Sequence, residues 1–328
     1  MGSRMEKKVT IVIPNYNGKR FLDDCLSSLE RQTSKDFETL VIDNASQDDS
    51  VSYIREHYPW VKIAVMRHNL GFSGGVNVGI GMCTTPYVLL LNNDTRSFPK
   101  MVEELIKTME SADDIFSVSC KMIQFHDHEK MDDAGDLYTC LGWAFQRGVG
   151  QPVGDYREPA EVFSACAGAA MYRRELFAKV GLFDELHFAY LEDLDLGYRA
   201  KIQGYRNVYC PTAKVYHVGS GTSGSKYNSF KVKLSARNSV YVNYKNMPLP
   251  QLILNAPSLA AGYFVKWCFF MIGFGKDYVD GLKEGISTRK KCKKVFFRGR
   301  DIRNYWQIQK ELWENTITYI IELAKRKL

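Results

Sequence analysis

Acidic and amide side chains gather at a few short stretches of this 328-residue sequence, each at the edge of an apolar run. Asn92-Asn93-Asp94 follows YVLLL. A carboxylate there suits Mg²⁺ or Mn²⁺ facing a pyrophosphate, because hard cations take oxygen ligands and phosphates complete the shell. The same three residues also suit a loop start with Asx turns. Glu192-Asp193-x-Asp195 is the sharpest cluster. Asp193 and Asp195 cannot share one helix face, so one can point into a site and the other to a structural partner. A carboxylate beside a leaving phosphate can take the proton of an incoming hydroxyl, while clustered acids also suit a capped helix start. Asp43 closes another apolar run, where it can accept from a pyrimidine imide or ribose hydroxyl, or serve as a cap or Asx turn. His217, in KVYHVG, is either a ligand or an ordinary satisfied histidine. NLGFSGGVNVGIG (69–81) lacks both the dinucleotide fingerprint and P-loop spacing. Its glycines fit a tight helix start or the wall of a donor pocket.

These residues need elements to position them. Apolar, β-branched runs at 9–14, 38–43, 62–67 and 87–92 recur every 24–29 residues, with helically spaced apolar residues between them. Continuous apolar strands are buried on both faces, so βαβ units and a mostly parallel sheet are expected. Ligands of such sheets bind beyond the carboxyl ends of the strands, where Asn15, Asp43 and Asn92-Asn93-Asp94 fall. Ser97-Phe98-Pro99 opens another helix, with Met101, Val102, Leu105, Ile106 and Met109 on one face, and a strand at 116–123 follows. Residues 126–160 are polar and read as a long surface excursion near the site. Residues 162–181 read as strand, turn and helix. Residues 191–205 read as a helix that Asp193 can cap, closed by Gly204. The Gly/Ser-rich stretch at 219–225 suggests a hinge, and the rest is helical, basic and aromatic. Three parts are therefore expected: 1–7 as tag remnant and flexible start, 8–225 as an α/β domain, and 226–328 as a mainly helical region.

Composition excludes several classes. With 45% hydrophobic and 25% charged residues, the chain is neither disordered nor fibrous. No long uncharged run suggests a membrane span, and the N-terminus lacks the pattern of a signal peptide. The eight cysteines form no CxxC pair and suit a reducing cytoplasm. Charge divides unevenly: residues 226–328 hold 20 Lys+Arg against 7 Asp+Glu, whereas residues 1–225 hold 24 against 30.

Together the blocks VTIVIPNYNG, VIDNASQDDS, NLGFSGGVNVGI, LLLNNDT and GAAMYRRELFAKVGLFDE…FAYLEDLDLGYRAKIQGY, then KVYH, make residues 8–225 resemble the inverting family 2 glycosyltransferases, in particular their rhamnosyltransferase-like branch. The resemblance implies a GT-A fold and a nucleotide-sugar donor, dTDP- or UDP-linked. It implies that Pro14 and Asn15 border the nucleotide, that Asp43 contacts the base, and that Asn77 with its glycines lines the donor site. Asn92-Asn93-Asp94 falls at the family's D-x-D position, where Asn92 replaces the first acid and leaves Asp94 as metal ligand. His217 resembles a second ligand for Mn²⁺ or Mg²⁺. Asp193 is implied as general base, with Glu192 beside it and Asp195 fixing the helix start. The reaction implied is a single in-line displacement that inverts the anomeric centre. The sugar, rhamnose or another hexose, would pass to a lipid-linked or cell-surface glycan acceptor. A polyprenyl-phosphate glycosyltransferase and a catalytically silent nucleotide-sugar-binding subunit are the competing readings.

In the C-terminal part, the apolar, aromatic stretch 252–275 precedes RKKCKKVFFRGR (289–300), which has seven basic residues and no acid. An aromatic helix lying in a membrane interface beside a basic segment would attract anionic lipid. The enzyme would then be cytoplasmic and peripheral at the inner face of the cell membrane. The same stretch also suits packing against the body or a second subunit of a homo-oligomer. No nucleic-acid-binding module is recognisable, so no nucleic-acid partner is expected.

Overall fold

A computed structural model describes residues 7–219 and 227–325. Its first half alternates strand and helix: β1 (Val9–Asn15), α1 (Lys19–Glu30), β2 (Phe37–Asp43), α2 (Ser50–His57), β3 (Lys62–Val65), α3 (Gly71–Met82) and β4 (Tyr87–Leu91). β5 (Thr95–Ser97), α4 (Met101–Met109) and β6 (Ile115–Gln124) follow. Then come β7 (Met131–Asp133), β8 (Asp136–Tyr138), β9 (Ala144–Gln146), β10 (Ala160–Val162), β11 (Ala169–Arg173), α5 (Phe177–Val180), α6 (Glu192–Ile202) and β12 (Arg206–His217).

The main sheet runs β10-β12-β6-β11-β4-β1-β2-β3. β1, β2, β3 and β4 pair in parallel, as do β6 and β12, while β11 is antiparallel between β4 and β6. Side chains alternate along each strand, so Ile11, Ile13, Leu89 and Leu91 pack on one face with α1 and α4. Val12, Val88 and Leu90 pack on the other face with α3, α5 and α6. This is the expected α/β sheet of GT-A type, and the carboxyl ends of β1, β2 and β4 open toward one side.

Residues 126–160 depart from expectation. Their ends, 126–130 and 149–160, do run over the surface, but the middle does not: Met131, Leu137 and Tyr138 join apolar clusters, and Asp133 and Asp136 are buried. β7 pairs with β6, and β8 pairs with β9. The segment therefore forms one wall of the interior next to the strand ends. The helix expected within 162–181 shrinks to the single turn of α5. Residues 220–226, which include most of the suggested hinge, lie outside the described residues.

Four helices complete the chain: α7 (Ser229–Asn246), α8 (Leu249–Phe270), α9 (Gly275–Thr288) and α10 (Ile302–Lys325). α7, α8 and α10 pack on α6 and on the 138–145 segment, and α9 packs on the outer side of α7. Asp193 does not cap α6; the capping position is Leu191, in left-handed conformation, and Asp193 sits in the first turn. Asp195 acts on the helix start through its charge partners and not through a capping bond. Its buried carboxylate accepts from Arg199 Nε at 3.0 Å, from Lys245 Nζ at 2.8 Å and from Asn246 Nδ2 at 2.8 Å, which joins α6 to α7. Gly204 does close α6, at φ 84°.

Burial opposes charge on Asp195, but Arg199 and Lys245 prevail and hold its carboxyl well below the usual carboxylate range. The lowered folded value means that its contribution is complete above the unfolded pKa of about 3.9 and is lost as pH falls through the folded value. Asp195→Ala leaves Arg199 and Lys245 buried without their partner. It is expected to reduce unfolding free energy by about 3–5 kcal/mol at neutral pH, read from the denaturant midpoint.

Candidate active site

An open cleft of about 710 Å³ lies at the strand ends. From the N-terminal half, Pro14, Asn15, Tyr16, Asn44, Gly71 and Asn92-Asn93-Asp94 line it. Asp136, the 144–146 and 166–168 backbones, residues 188–194 and His217 form the far side, and Phe230, Lys231 and Ser235 of α7 close one edge.

Asn15 organises the side of the cleft formed by the strand ends. Its amide donates to Asp43 Oδ2 at 2.9 Å, and its carbonyl oxygen accepts from Asn93 Nδ2 at 2.7 Å. Three strand ends are thereby cross-linked by buried amide and carboxylate groups. Asp43 does not line the cleft. It is fully buried, and its other oxygen accepts from Ser46 N at 2.9 Å in an Asx turn. Its neighbour Asn44 reaches the cleft in its place. Asn77 does not line the cleft either: its amide donates to Phe183 O at 2.9 Å and to Glu185 at 3.1 Å, which ties α3 to the turn before α6. Of the glycines in 69–81, Gly71 (φ +73°) does border the cleft. A Cβ there would stand 2.5 Å from the Phe188 carbonyl, so only glycine permits that approach.

His217 and Asp94 meet across the cleft. Nε2 of the imidazole is 3.3 Å from Asp94 Oδ1, and Nδ1 is 2.7 Å from Asp132 Oδ2. Burial would lower the pKa of His217, but hydrogen bonds and charge from Asp132 and Asp94 raise it to about 10. A carboxylate that holds one imidazole nitrogen and leaves the other facing a second carboxylate is the donor arrangement found around metal-bound histidines. The pair therefore fits a divalent cation.

Glu192 and Asp193 stand opposite. Asp193 Oδ1 accepts from Leu194 N at 2.7 Å and Oδ2 from Ala167 N at 3.4 Å. Burial raises its pKa against these bonds. Glu192, Asp136 and Asp133 are raised too, first by burial and then by neighbouring carboxylates, with Asp133 pushed up to about 8. Burial thus favours the neutral form of these acids, which eases the repulsion among carboxyls on one wall.

The segment leading into Glu192 is strained. Phe188, Tyr190 and Leu191 have φ of 64°, 70° and 64°, each costing about 1–2 kcal/mol for a residue with a Cβ. The buried amide of Asn238 on α7 donates to the carbonyls of His187 (3.0 Å), Ala189 (2.9 Å) and Tyr190 (2.7 Å). Arg237 adds bonds to the Leu186 and His187 carbonyls. These bonds hold residues 188–191 along the cleft.

A model of glycosyl transferase family 2 matches residues 10–181. The chain belongs to that family. It is therefore a glycosyltransferase. It is 26% identical over 245 residues to N-acetylglucosaminyl-diphospho-decaprenol L-rhamnosyltransferase of Mycobacterium tuberculosis, covering 67% of this chain and 79% of that protein. It is 28% identical over 244 residues to the uncharacterized glycosyltransferase YwdF of Bacillus subtilis, covering 71% and 85%. Among solved structures, S. aureus TarS 1–349 in complex with UDP-GlcNAc superposes with a TM-score of 0.60 at 17% identity, covering 92% and 90% of the two chains. The mannosyltransferase PcManGT from Pyrobaculum calidifontis, in complex with GDP-Man and Mn²⁺, gives 0.54 at 15% identity, covering 94% and 86%. These likenesses support the GT-A fold.

Several residues of this glycosyltransferase's cleft escaped the sequence reading. Asp132 and Asp136 lie in DDAGD, whose acidity resembled a solvated loop, and Asn44 stood beside the more conspicuous Asp43. Asn238 carried no signal. Asn238→Ala removes the amide donor from three carbonyls, of which His187 O keeps Arg237, and should lower stability by about 2–4 kcal/mol, given about 1–3 kcal/mol per unsatisfied buried group and partial rehydration. Hydrogen exchange of amides in 186–191 should rise well above that in β1, and equal protection would contradict the clamp.

Proposed function

We propose that this glycosyltransferase moves a sugar, rhamnose or another hexose, from a dTDP- or UDP-sugar to a hydroxyl of a lipid-linked or cell-surface glycan. The observation that carries the reading is the meeting, in one cleft, of the Asp193 carboxylate and the Asp94–His217 pair at the carboxyl ends of the sheet. The printed activity of the mycobacterial relative supports a lipid-linked acceptor, and the donors held by the structural neighbours support a nucleotide-sugar.

In this reading Asn15, Pro14, Asn92 and Asn93 bound the donor's nucleotide end. Asp94 and His217 would hold Mn²⁺ or Mg²⁺, which supplies positive charge against the leaving nucleoside diphosphate. Asp193 takes the proton from the acceptor hydroxyl as that oxygen attacks the anomeric carbon, and the configuration inverts. Glu192 stands beside it, within the same wall of the cleft. Residues 8–225 form the catalytic domain, and 226–328 complete its cleft through α7. We infer that the enzyme works in the cytoplasm at the inner face of the cell membrane.

Two measurements test this. Asp193→Asn keeps the shape of the side chain and removes its proton affinity. It should cut nucleoside diphosphate release about 10²–10⁴-fold with donor affinity by calorimetry nearly unchanged. In the parent enzyme the rate should fall as acid protonates Asp193, starting above the ordinary carboxylate range because its pKa is raised. Near-normal turnover in the variant would move the base elsewhere. A chain that bound donor without ever releasing nucleoside diphosphate would be a binding subunit.

Separately, EDTA should weaken binding of UDP or dTDP, and Asp94→Ala should reproduce the loss. Equal nucleotide affinity with and without metal removes the cation from the site.

A further inference from the structure

A lipid-linked acceptor, on which this inference rests, has to be met where lipid is, and the C-terminal helices carry a surface suited to that meeting. α8 is turned inside out. Its polar residues Gln251 and Asn255 are buried, and both bond to Gln309 of α10, while Gln251 also accepts from the Tyr198 hydroxyl. Its outward side presents Ile253, Leu254, Phe264, Val265 and Phe269 to solvent, and Ile272 just beyond is 91% exposed. The helix has one charge, Lys266, whose ammonium lies 5.8 Å from the centre of the Trp143 ring. α10 runs alongside and exposes Trp306, Trp313, Ile317, Ile320 and Ile321. Most exposed large apolar side chains among the described residues belong to this part of the chain. A monomeric surface does not ordinarily carry so contiguous an apolar area without a partner.

The position and charge of this face identify the partner. Trp143 Nε1 donates to Gly262 O of α8 at 3.1 Å, and the Tyr319 ring of α10 packs on Trp143 and Phe145 at 5.4 and 5.1 Å. Phe145 in turn lines the catalytic cleft, so the apolar face adjoins its rim. The basic segment 289–300 is anchored at the other end of the two helices. Val295 N donates to Lys245 O at 2.9 Å, and the Phe297 ring packs on Tyr305 at 5.6 Å. Lys290, Lys291, Lys293 and Lys294 are exposed there. A second copy of the chain would bring the same positive charge to this face and be repelled, whereas an anionic bilayer brings the opposite charge. Among the described residues no helix is long and apolar enough to cross a membrane, so the face lies along the bilayer.

We propose that the outward faces of α8 and α10, with the basic segment 289–300, seat the enzyme in the interface of an anionic lipid bilayer, with the rim of the cleft at the level of a lipid-linked acceptor.

Flotation of the full chain with phosphatidylcholine vesicles, with and without phosphatidylglycerol, tests the seat. Binding is expected only with phosphatidylglycerol and should weaken as salt rises. Phe264→Glu should keep the parent melting temperature and lower partitioning at least about tenfold, the loss expected for one apolar side chain kept out of lipid. Lys290→Gln with Lys291→Gln should lower it about 25-fold, at about fivefold per basic residue near the surface. The proposal is overturned if the parent ignores anionic vesicles at low salt, or if Phe264→Glu binds them as well as the parent. It is equally overturned if sedimentation shows a dimer that Phe264→Glu dissociates while vesicles are ignored, which would assign the face to a second copy. Donor affinity by calorimetry without lipid reports on the transferase reading alone, so failure of one is distinguishable from failure of the other.

Discussion

A carboxylate sealed from water stays ionised only beside its counter-charges, and Asp195 draws its two from different parts of the chain. Arg199 comes from one turn further along α6, and Lys245 from the end of α7. The same cations reach outward. Lys245 also pairs with Asp184 at 2.7 Å, and Arg199 donates to the carbonyls of Val180 and Leu182. One buried charge cluster therefore fixes the turn before α6, the direction in which α6 leaves it, and the seat of α7. The position of the cleft's acidic wall depends on all three.

That framework allows a costly segment to persist. Three left-handed residues within four positions would relax in an isolated loop, but α7 bonds the carbonyls of His187, Ala189 and Tyr190 and Ser73 of α3 bonds that of Phe188, which holds the segment in place. Strain of this kind clusters at functional sites because surrounding structure over-determines it. Here it sets the register at which Glu192 and Asp193 enter the helix. Burial then shapes the chemistry: it raises the proton affinity of Asp193 and favours the neutral form of the neighbouring carboxyls, which eases the repulsion that a cluster of anions would create.

Much of this was legible in the sequence because parallel strands buried on both faces read as unbroken apolar runs, and their ends carry the polar residues that face the cleft. The four runs became β1 to β4 within two residues at each end. Asn15, Asn93, Asp94, Asp193 and His217 were found by position alone or by family likeness, and the cleft gathers them. Asp43 and Asn77 were also prominent, yet hydrogen bonds within the scaffold occupy them. The middle of 126–160 misled because buried acids look like solvated ones in a sequence, and burial favours the neutral form of Asp133 and Asp136. Asn238 was illegible for another reason. A polar residue in the middle of a helix has no periodic signature, and its three acceptors lie about fifty residues away.

The Asp195–Lys245 contact also bears on how such a chain can diversify. The basic third resembles an interchangeable attachment, something recombination might exchange to re-address an enzyme. Yet its first helix holds half of a buried charge cluster and the amide that steadies the catalytic approach. A graft from a relative would succeed only if it brought matching partners for residues 184–199. The C-terminal helices and the geometry of the cleft are thus inherited as one unit, and change in the outer faces of α8 and α10 is easier by gradual substitution than by exchange of whole segments.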